Sequence, residues 1–509
     1  MTLTKAAKIA LFVLGIVLAA AAIIATVTVL VLQSKQKPKM TVRAGKTRLQ
    51  SNNNKGSKVG VVITTFGNNY VFAKQAVLCF LRHVQQHPLY LLLYVNGSDD
   101  ERLLSIQTEF PEIQVVVLRQ PARGGLTWTW NDGITKCLAQ GCTTIVLSND
   151  DVIFDRSILH ILKASESAKG SDVYFGPLSN EPGNDTNAAQ LGIMPTDKGA
   201  YTCTYRKKLQ NLNGFFMVFP AQTLQTNMFD QHHFFNPSLP FGGNETEWFK
   251  RFEQKGGYGM VVPSTFIYHY KLKSWRTVHD ASVCVYTINL NGYEGRRILL
   301  DNLRNNYDPA DVLYFTDNDD MIYQCLKHNV QPFLVDVTRS GVSAKVMQRL
   351  IKAMPHVFLP AFYHSSIYVD GNAQLVGNVS QLLDSLESHP LICYQHWRKP
   401  ALIAPELSII VQKGLAHQES VNKIKAEMQA LHFDASQHTL TETNMLVRKH
   451  HELAEFSEDW ARLIRVCPRD QASFDFLLWK HSVNYDRRPF SEKPVQLYKH
   501  VNPVNRNVK

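Results

Sequence analysis

No acidic residue occurs before Asp99, in a chain of 509 residues that carries 43 of them. The same stretch holds twelve lysines and arginines, from Lys5 to Arg82. Those twelve exceed the formal net charge of +11, so the remainder of the chain sums to −1. The basic excess is therefore local, beside an apolar segment, where it suits anionic lipid headgroups. A near-neutral bulk argues against nucleic acid as a partner. Paired cysteine motifs are also missing. The eight cysteines are scattered, with no CxxC and no His/Cys zinc spacing, which excludes a zinc site of ordinary spacing and leaves buried free thiols as the plain expectation. No P-loop, GxSxG or HExxH is present, so the chemistries those motifs carry have no support. No internal repeat or low-complexity tract points to a solenoid or to bulk disorder.

What is present begins with Ile9–Leu32, a run without charge in which only Thr26 and Thr28 are polar. At 1.5 Å per residue it makes roughly 36 Å of helix, enough to cross a hydrocarbon core of about 30 Å with tilt. A cleaved signal peptide would have a shorter apolar region and a small-residue cleavage site. The expectation is a tail over residues 1–8, a single-pass membrane helix over 9–32 and a basic flexible stem over 33–57. Basic residues flank the helix more heavily on its C-terminal side, which favours a cytosolic C-terminus. Endomembrane enzymes of Golgi or ER type have the opposite orientation, and sequons at Asn96, Asn184, Asn244 and Asn378 would suit a lumen. Orientation is left open.

Beyond the stem the length predicts two or more domains. Lys58–Thr65, Leu89–Val95, Gln114–Leu118 and Thr144–Leu147 are short apolar, β-branched runs separated by helical patterns. That alternation predicts an α/β unit with a mostly parallel sheet. Such sheets bind ligands at the C-terminal ends of their strands. Asn149-Asp150-Asp151 stands at such an end. Adjacent carboxylates there can hold Mg²⁺ or Mn²⁺ while a diphosphate supplies further oxygens. The bland alternative is a helix N-cap.

Several motifs resemble glycosyltransferase family two of the GT-A (Rossmann-like) fold. They are the strand VVITTF, the helix with Asn131-Asp132-Gly133, the acidic Asn149-Asp150-Asp151, the strand opened by Asn213-Gly214, and Phe241–Arg251. The resemblance implies a domain over 58–272 that takes a nucleotide-sugar donor. It implies donor contacts at Thr65, Asn131 and Asp150, a metal ligand at Asp151, and a second at His269 after the strand Thr265–Tyr268. Counting back from Arg251 places Asn244 at the family's Glu, Glu245 at its catalytic Asp and Glu247 at the second acid. One of these two glutamates would take the acceptor hydroxyl proton. The bland readings are a charged first helical turn and, for His269, a structural histidine.

A second α/β pattern follows over 280–509, with strand runs at Val283–Thr287, Leu313–Thr316, Phe333–Val337 and Ser366–Val369. Tyr314–Asp317, Ser365–Asn372, His396-Trp397-Arg398 with Glu406, and Arg469–Phe474 together resemble an uncharacterised domain of plant cell-wall and mucilage glycosyltransferase-like proteins. The resemblance implies a second, GT-A-like domain with site residues Asp317, Asp370, Asn372, His396, Arg469 and Asp470. Turn chemistry at Asp370-Gly371-Asn372 and a capped helix after Pro468 are the bland alternatives.

The reading is a membrane-anchored, metal-dependent glycosyltransferase, bifunctional if the second domain is active. It would move sugar from a nucleotide-sugar donor to a glycan, glycoprotein or glycolipid. The competing class is a catalytically inactive, membrane-tethered glycan-binding protein. A phosphate-handling hydrolase would also want paired acids and a metal.

Overall fold

A computed structural model describes residues 57–498, apart from 68, 99, 119–124, 169, 181–186, 188–207, 210–211, 271–281, 293–309, 327–329, 377 and 399–400. The apolar run Ile9–Leu32 and nearly all of the stem lie outside the described residues. Among those described, no helix is long and apolar enough to cross a membrane.

The protein is a mixed α/β structure built on two sheets. The first half supplies β1 (Val59–Phe66), β2 (Leu89–Asn96), β3 (Gln114–Leu118), β4 (Thr144–Asn149), β5 (Val152–Phe154), β6 (Val173–Ser179), β7 (Lys208–Leu209), β8 (Phe216–Pro220) and β9 (Tyr258–His269). The second supplies β10 (Ser282–Asn289), β11 (Asp311–Thr316), β12 (Gln331–Leu334), β13 (Tyr363–Val369), β14 (Ala373–Leu375), β15 (Leu391–Gln395), β16 (Thr441–Lys449), β17 (Tyr485–Arg488) and β18 (Val495–Leu497). Strand β1 is buried along nearly its whole length and β4 almost as fully. Both read as continuous apolar runs because central strands of a parallel sheet are covered on both faces. Helices start where the chain supplies a cap. Asp100 accepts from the backbone N–H of Arg102 to open Glu101–Glu109, and Ser343 accepts from Val346 to open Ala344–Ala353.

The expectation of a mostly parallel sheet in the first half holds for only part of it, and the second half is mixed in the same way. The first sheet runs β3-β2-β1-β4-β8-β6-β9-β5, with β7 beside β9. Its first four strands are parallel. Strand β8 then enters antiparallel to β4 and to β6, β6 and β9 are parallel, and β5 is antiparallel to β9. The second sheet runs β12-β11-β10-β13-β16-β15-β17. It too has four parallel strands, then β16 antiparallel to both neighbours, then β15 parallel to β17.

Strand for strand the two orders coincide: β1 corresponds to β10, β4 to β13, β8 to β16, β6 to β15 and β9 to β17. The short strand after each central acidic turn, β5 or β14, leaves its parent strand to pair elsewhere, β5 with β9 and β14 with β18. The same frame is built twice from different sequence. Residues 56–509 cluster as one compact unit.

Candidate active site at the end of β4

Strand β4 ends at Asn149. Asp150 and Asp151 make the turn into β5, so a strand follows the acids and not a helix, which removes the N-cap alternative. The register of β5 on β9 sets Val152 opposite His269. This brings residues 118 positions apart in sequence into contact: His269 Nε2 lies 3.1 Å from Asp151 Oδ1. The Asn149 amide nitrogen is 3.5 Å from the same imidazole nitrogen. Tyr270 N–H donates to the Asp151 carbonyl at 2.9 Å, locking the two segments together. Asp150, Asp151 and His269 are all buried.

Two neighbours hold His269 that were not expected to. Asn180, just past β6, accepts from the His269 N–H at 2.7 Å and donates to its carbonyl at 3.1 Å. The Phe215 ring stacks on the imidazole, with centroids 4.6 Å apart and an interplanar angle of 11°. Asn180 belongs to no motif, and Phe215 reads in sequence as one more core aromatic.

Asp150 points inward. Thr65 Oγ1 donates to its carboxylate at 2.6 Å, and Asn69 also hydrogen-bonds to it. Burial first, and the adjacent Asp151 second, push its carboxyl up to about 7, against the pull of those hydrogen bonds. A cation beside Asp151 would offset the repulsion. Thr65 and Asp150 thus form one unit at the ends of β1 and β4. Asn131 lies apart from it. Its side-chain oxygen accepts from the N–H groups of Phe234 and Phe235 at 2.9 Å, and its amide donates to the Phe235 carbonyl at 3.0 Å. In this geometry the Asn131 side chain anchors the loop at 234–235.

The two candidate bases differ in their partners. Glu247 pairs with Arg251 one turn on, with Nε–Oε1 at 2.6 Å and Nη2–Oε2 at 3.3 Å. Arg251 also reaches the carbonyls of Asn227, Met228 and Phe234, so Glu247 fixes a residue that ties down a loop. Glu245 is half-buried in the first turn of the helix Asn244–Gln254, and among the described residues its carboxylate has no ion-pair partner. It packs against Gly214, where an added Cβ would fall 3.0 Å from its side-chain carbons. Gly214 precedes Phe215, the ring on His269, so the segment leading into β8 links the glutamate to the Asp151–His269 pair. Asn244 is 1 % exposed and donates to Thr127 Oγ1 at 3.0 Å. That burial excludes a glycan on the folded protein. Asn96 is buried too, Asn378 is an exposed helix cap, and Asn184 lies outside the described residues.

The donor set fits a divalent cation. One carboxylate and one imidazole at a strand end, with an amide beside them, match the mixed O/N preference of Mn²⁺ better than the all-oxygen preference of Mg²⁺. Among the described residues no group of three or more His, Cys, Asp and Glu is assembled as a cation cage. Asp151 and His269 alone would leave most positions of a bound cation to other ligands, such as the oxygens of a diphosphate.

Of the residues expected in the second half, Asp370, Asn372, His396, Arg469 and Asp470 line one cleft of about 700 Å³. Asp317 does not. Its carboxylate accepts from the Asn291 N–H, and it borders a separate cleft of about 610 Å³ with Arg82 and Arg339. Seven of the eight cysteines are buried free thiols, and Cys203 lies outside the described residues.

No family model matches the chain, and no curated protein matches it. Solved structures similar to part of it include "Crystal structure of GalNAc-T7 with UDP, GalNAc and Mn2+", at 15% identity and a TM-score of 0.34, covering 44% of this chain and 46% of that one. Another is "Crystal structure of S. aureus TarS 1-349", at 12% identity and a TM-score of 0.32, covering 43% of this chain and 62% of that one. The chain thus spans less than two thirds of the length of either.

Proposed function

We propose that the first half is a GT-A-type glycosyltransferase domain that uses a nucleotide-sugar donor and a divalent metal. The observation that carries this reading is the pairing of Asp151 with His269 at one sheet end and, against Gly214 just before β8, the carboxylate of Glu245, which has no ion-pair partner among the described residues. A bound Mn²⁺ or Mg²⁺, held by Asp151 and His269, would supply positive charge beside the donor's diphosphate. Glu245 removes the acceptor hydroxyl proton. The freed oxygen pair forms a bond to the anomeric carbon, and the bond from that carbon to the diphosphate oxygen breaks with its electrons leaving on the diphosphate. Phe215 and Asn180 keep the imidazole oriented, and Thr65 fixes Asp150 beneath the donor.

The acceptor in this reading is a hydroxyl of a glycan, glycoprotein or glycolipid. Residues 58–272 and 280–509 are its two domains, and Ile9–Leu32 is its single-pass anchor in an endomembrane. The duplicated strand order makes the second domain a candidate for a second transfer site. Glu245→Gln is the test: acceptor-dependent transfer should fall by about 10² or more, the usual worth of a positioned base, with donor affinity nearly unchanged. Wild-type transfer in that variant rejects the assignment. The glycan-binding alternative has no comparable observation in its favour.

A further inference from the structure

The turn Asp370-Gly371-Asn372 after β13 occupies the place that Asn149-Asp150-Asp151 occupies after β4. Asp470 follows β16 as Glu245 follows β8. The frame would therefore allow a second metal site, but the side chains do something else. Lys352, on the last turn of Ala344–Ala353, is 4 % exposed and places its ammonium between the two acids. It pairs with Asp470, lies 3.8 Å from Asp370 and donates to Thr443 Oγ1 at 3.0 Å. Thr443 in turn donates to Asp470 at 2.8 Å, and Tyr368 donates its hydroxyl proton to Asp370. A fixed organic cation thus stands between the two carboxylates, and Arg349 adds a second one 3.5 Å from Asp470.

The rest of the cleft is cationic. Besides Lys352 its wall carries Lys345, Arg349, Arg398, Lys413 and Arg469, against three acids, Asp370, Glu442 and Asp470. Of these cations Arg398 pairs with Glu406 at 2.6 Å and Arg349 with Asp470 at 3.5 Å. The Nε donor of Arg469 is buried without a hydrogen-bond acceptor, and that of Arg349 faces Asp470 Oδ1 at 3.5 Å. Such donors are costly to leave unmet. Burial first, then Arg349 and Arg469, push the Lys345 ammonium down to about 8, which reflects like charges crowded together. His396 is held neutral, down at about 4, chiefly by burial and then by Arg398. At the rim Trp397 is 61 % exposed, with the Arg398 guanidinium 5.5 Å from its ring centroid.

We propose that this second cleft is a metal-independent binding site for phosphate oxyanions, sized for the diphosphate of a nucleotide. Arg349 and Arg469 offer guanidinium forks for phosphate. Lys352 supplies, as an ammonium, the positive charge that a metal would supply in the first half. Trp397 offers a flat face for the ring of the base or sugar. The location at strand ends is where open α/β sheets take such ligands, and the volume is that of a small-molecule pocket. The inference does not rest on the catalytic reading of the first half.

Titration calorimetry of the full chain in excess EDTA, with UDP and inorganic pyrophosphate as probes, tests it. One site should bind UDP without metal, and Asp151→Ala should leave that binding unchanged. Arg469→Gln should weaken it at least tenfold, and Arg469→Lys should restore part of the loss. If Arg469→Gln fails to fold, Lys413→Ala at the exposed rim should weaken binding about threefold. The two probes separate the sources of the phosphate. UDP much tighter than pyrophosphate, with the difference erased in Trp397→Ala, assigns a nucleotide. Equal affinities assign phosphate recognition alone. No binding in EDTA, binding that appears only with Mn²⁺, or EDTA binding indifferent to Arg469 and Lys413 would overturn the proposal. So would loss of the EDTA binding in Asp151→Ala.

Discussion

At the scale of single residues, the site turns on contrasts between neighbours. Asp150 and Asp151 are adjacent, yet Thr65 and Asn69 hold one while the other meets His269. Glu245 and Glu247 share a helical turn, yet only Glu247 pairs with Arg251. Two predictions follow at this scale. Glu247→Gln should lower transfer less than Glu245→Gln, and its main effect should be on stability, through the loosened Arg251 and its three carbonyl contacts. Comparing kcat and melting temperature for the two variants checks this; the reverse ranking in kcat would move the base to Glu247. Phe215→Leu, which removes the ring stacked on His269, should weaken Mn²⁺ binding several-fold without unfolding the protein, as supports of metal ligands commonly do. Mn²⁺ titration by electron paramagnetic resonance reads it directly, and unchanged affinity would mean that the stack is only packing. The acids of this site were legible because acidic residues at a strand end are unusual and have few structural uses. Asn180 and Phe215 were not, because their roles depend on a register that brings β6, β8 and β9 together. Asn131 fitted a motif, but the 234–235 backbone claims its described side-chain hydrogen bonds.

At the scale of elements, the presence of strands was more legible than their direction. Strands β1, β2 and β4 are long apolar runs that end in turn residues, and period alone reveals them. Strand β8 is equally apolar, but nothing in Phe216–Pro220 states its direction. That depends on the chain path between β6 and β8. A second α/β unit was expected, but the match of strand order was not legible, because order depends on how the strands pair. Lys352 shows the same limit. A lysine in the last turn of a helix reads as a favourable partner for the helix dipole, and only the packing turns it onto Asp470. Burial raises the Asp470 carboxyl, but Lys352, Arg349 and Arg469 outweigh it, and the net result lies well below the ordinary carboxylate range. Its folded pKa is depressed, so the ion pair contributes stability above pH ~4, the unfolded value, and that contribution fades as pH falls further. Asp470→Asn should cost about 3–5 kcal/mol at neutral pH, the usual cost of breaking a buried pair. The gap between variant and wild type should narrow between pH 4 and 2. Urea midpoints across that range measure it, and a gap independent of pH would contradict the ionic account.

At the scale of the whole molecule, the two halves share a core. Phe72 packs with Tyr270, Phe333 and Phe362, and the Tyr270 hydroxyl donates to the Pro332 carbonyl. The Gln75 side chain pairs with both backbone groups of Leu334 at 2.8 Å, so it acts as one more strand residue on the open edge of β12. Arg82 donates to the Asp317 carbonyl and pairs with Asp319 at 3.0 Å. Gln75→Ala should therefore destabilise by about 1–3 kcal/mol, the cost of orphaned buried backbone groups, and should do so in a single cooperative melt shared by both halves. Two separate transitions in the wild-type calorimetric trace would instead mean that the halves unfold independently. The most direct test of the central claim is donor turnover by the full chain. Nucleotide sugars are screened for nucleoside diphosphate release with Mn²⁺ and then with EDTA, in wild type and in Asp151→Ala. The account predicts release for at least one donor with Mn²⁺, its loss in EDTA, and a fall of about 10² or more in the folded variant. Release indifferent to both the chelator and the substitution would contradict it.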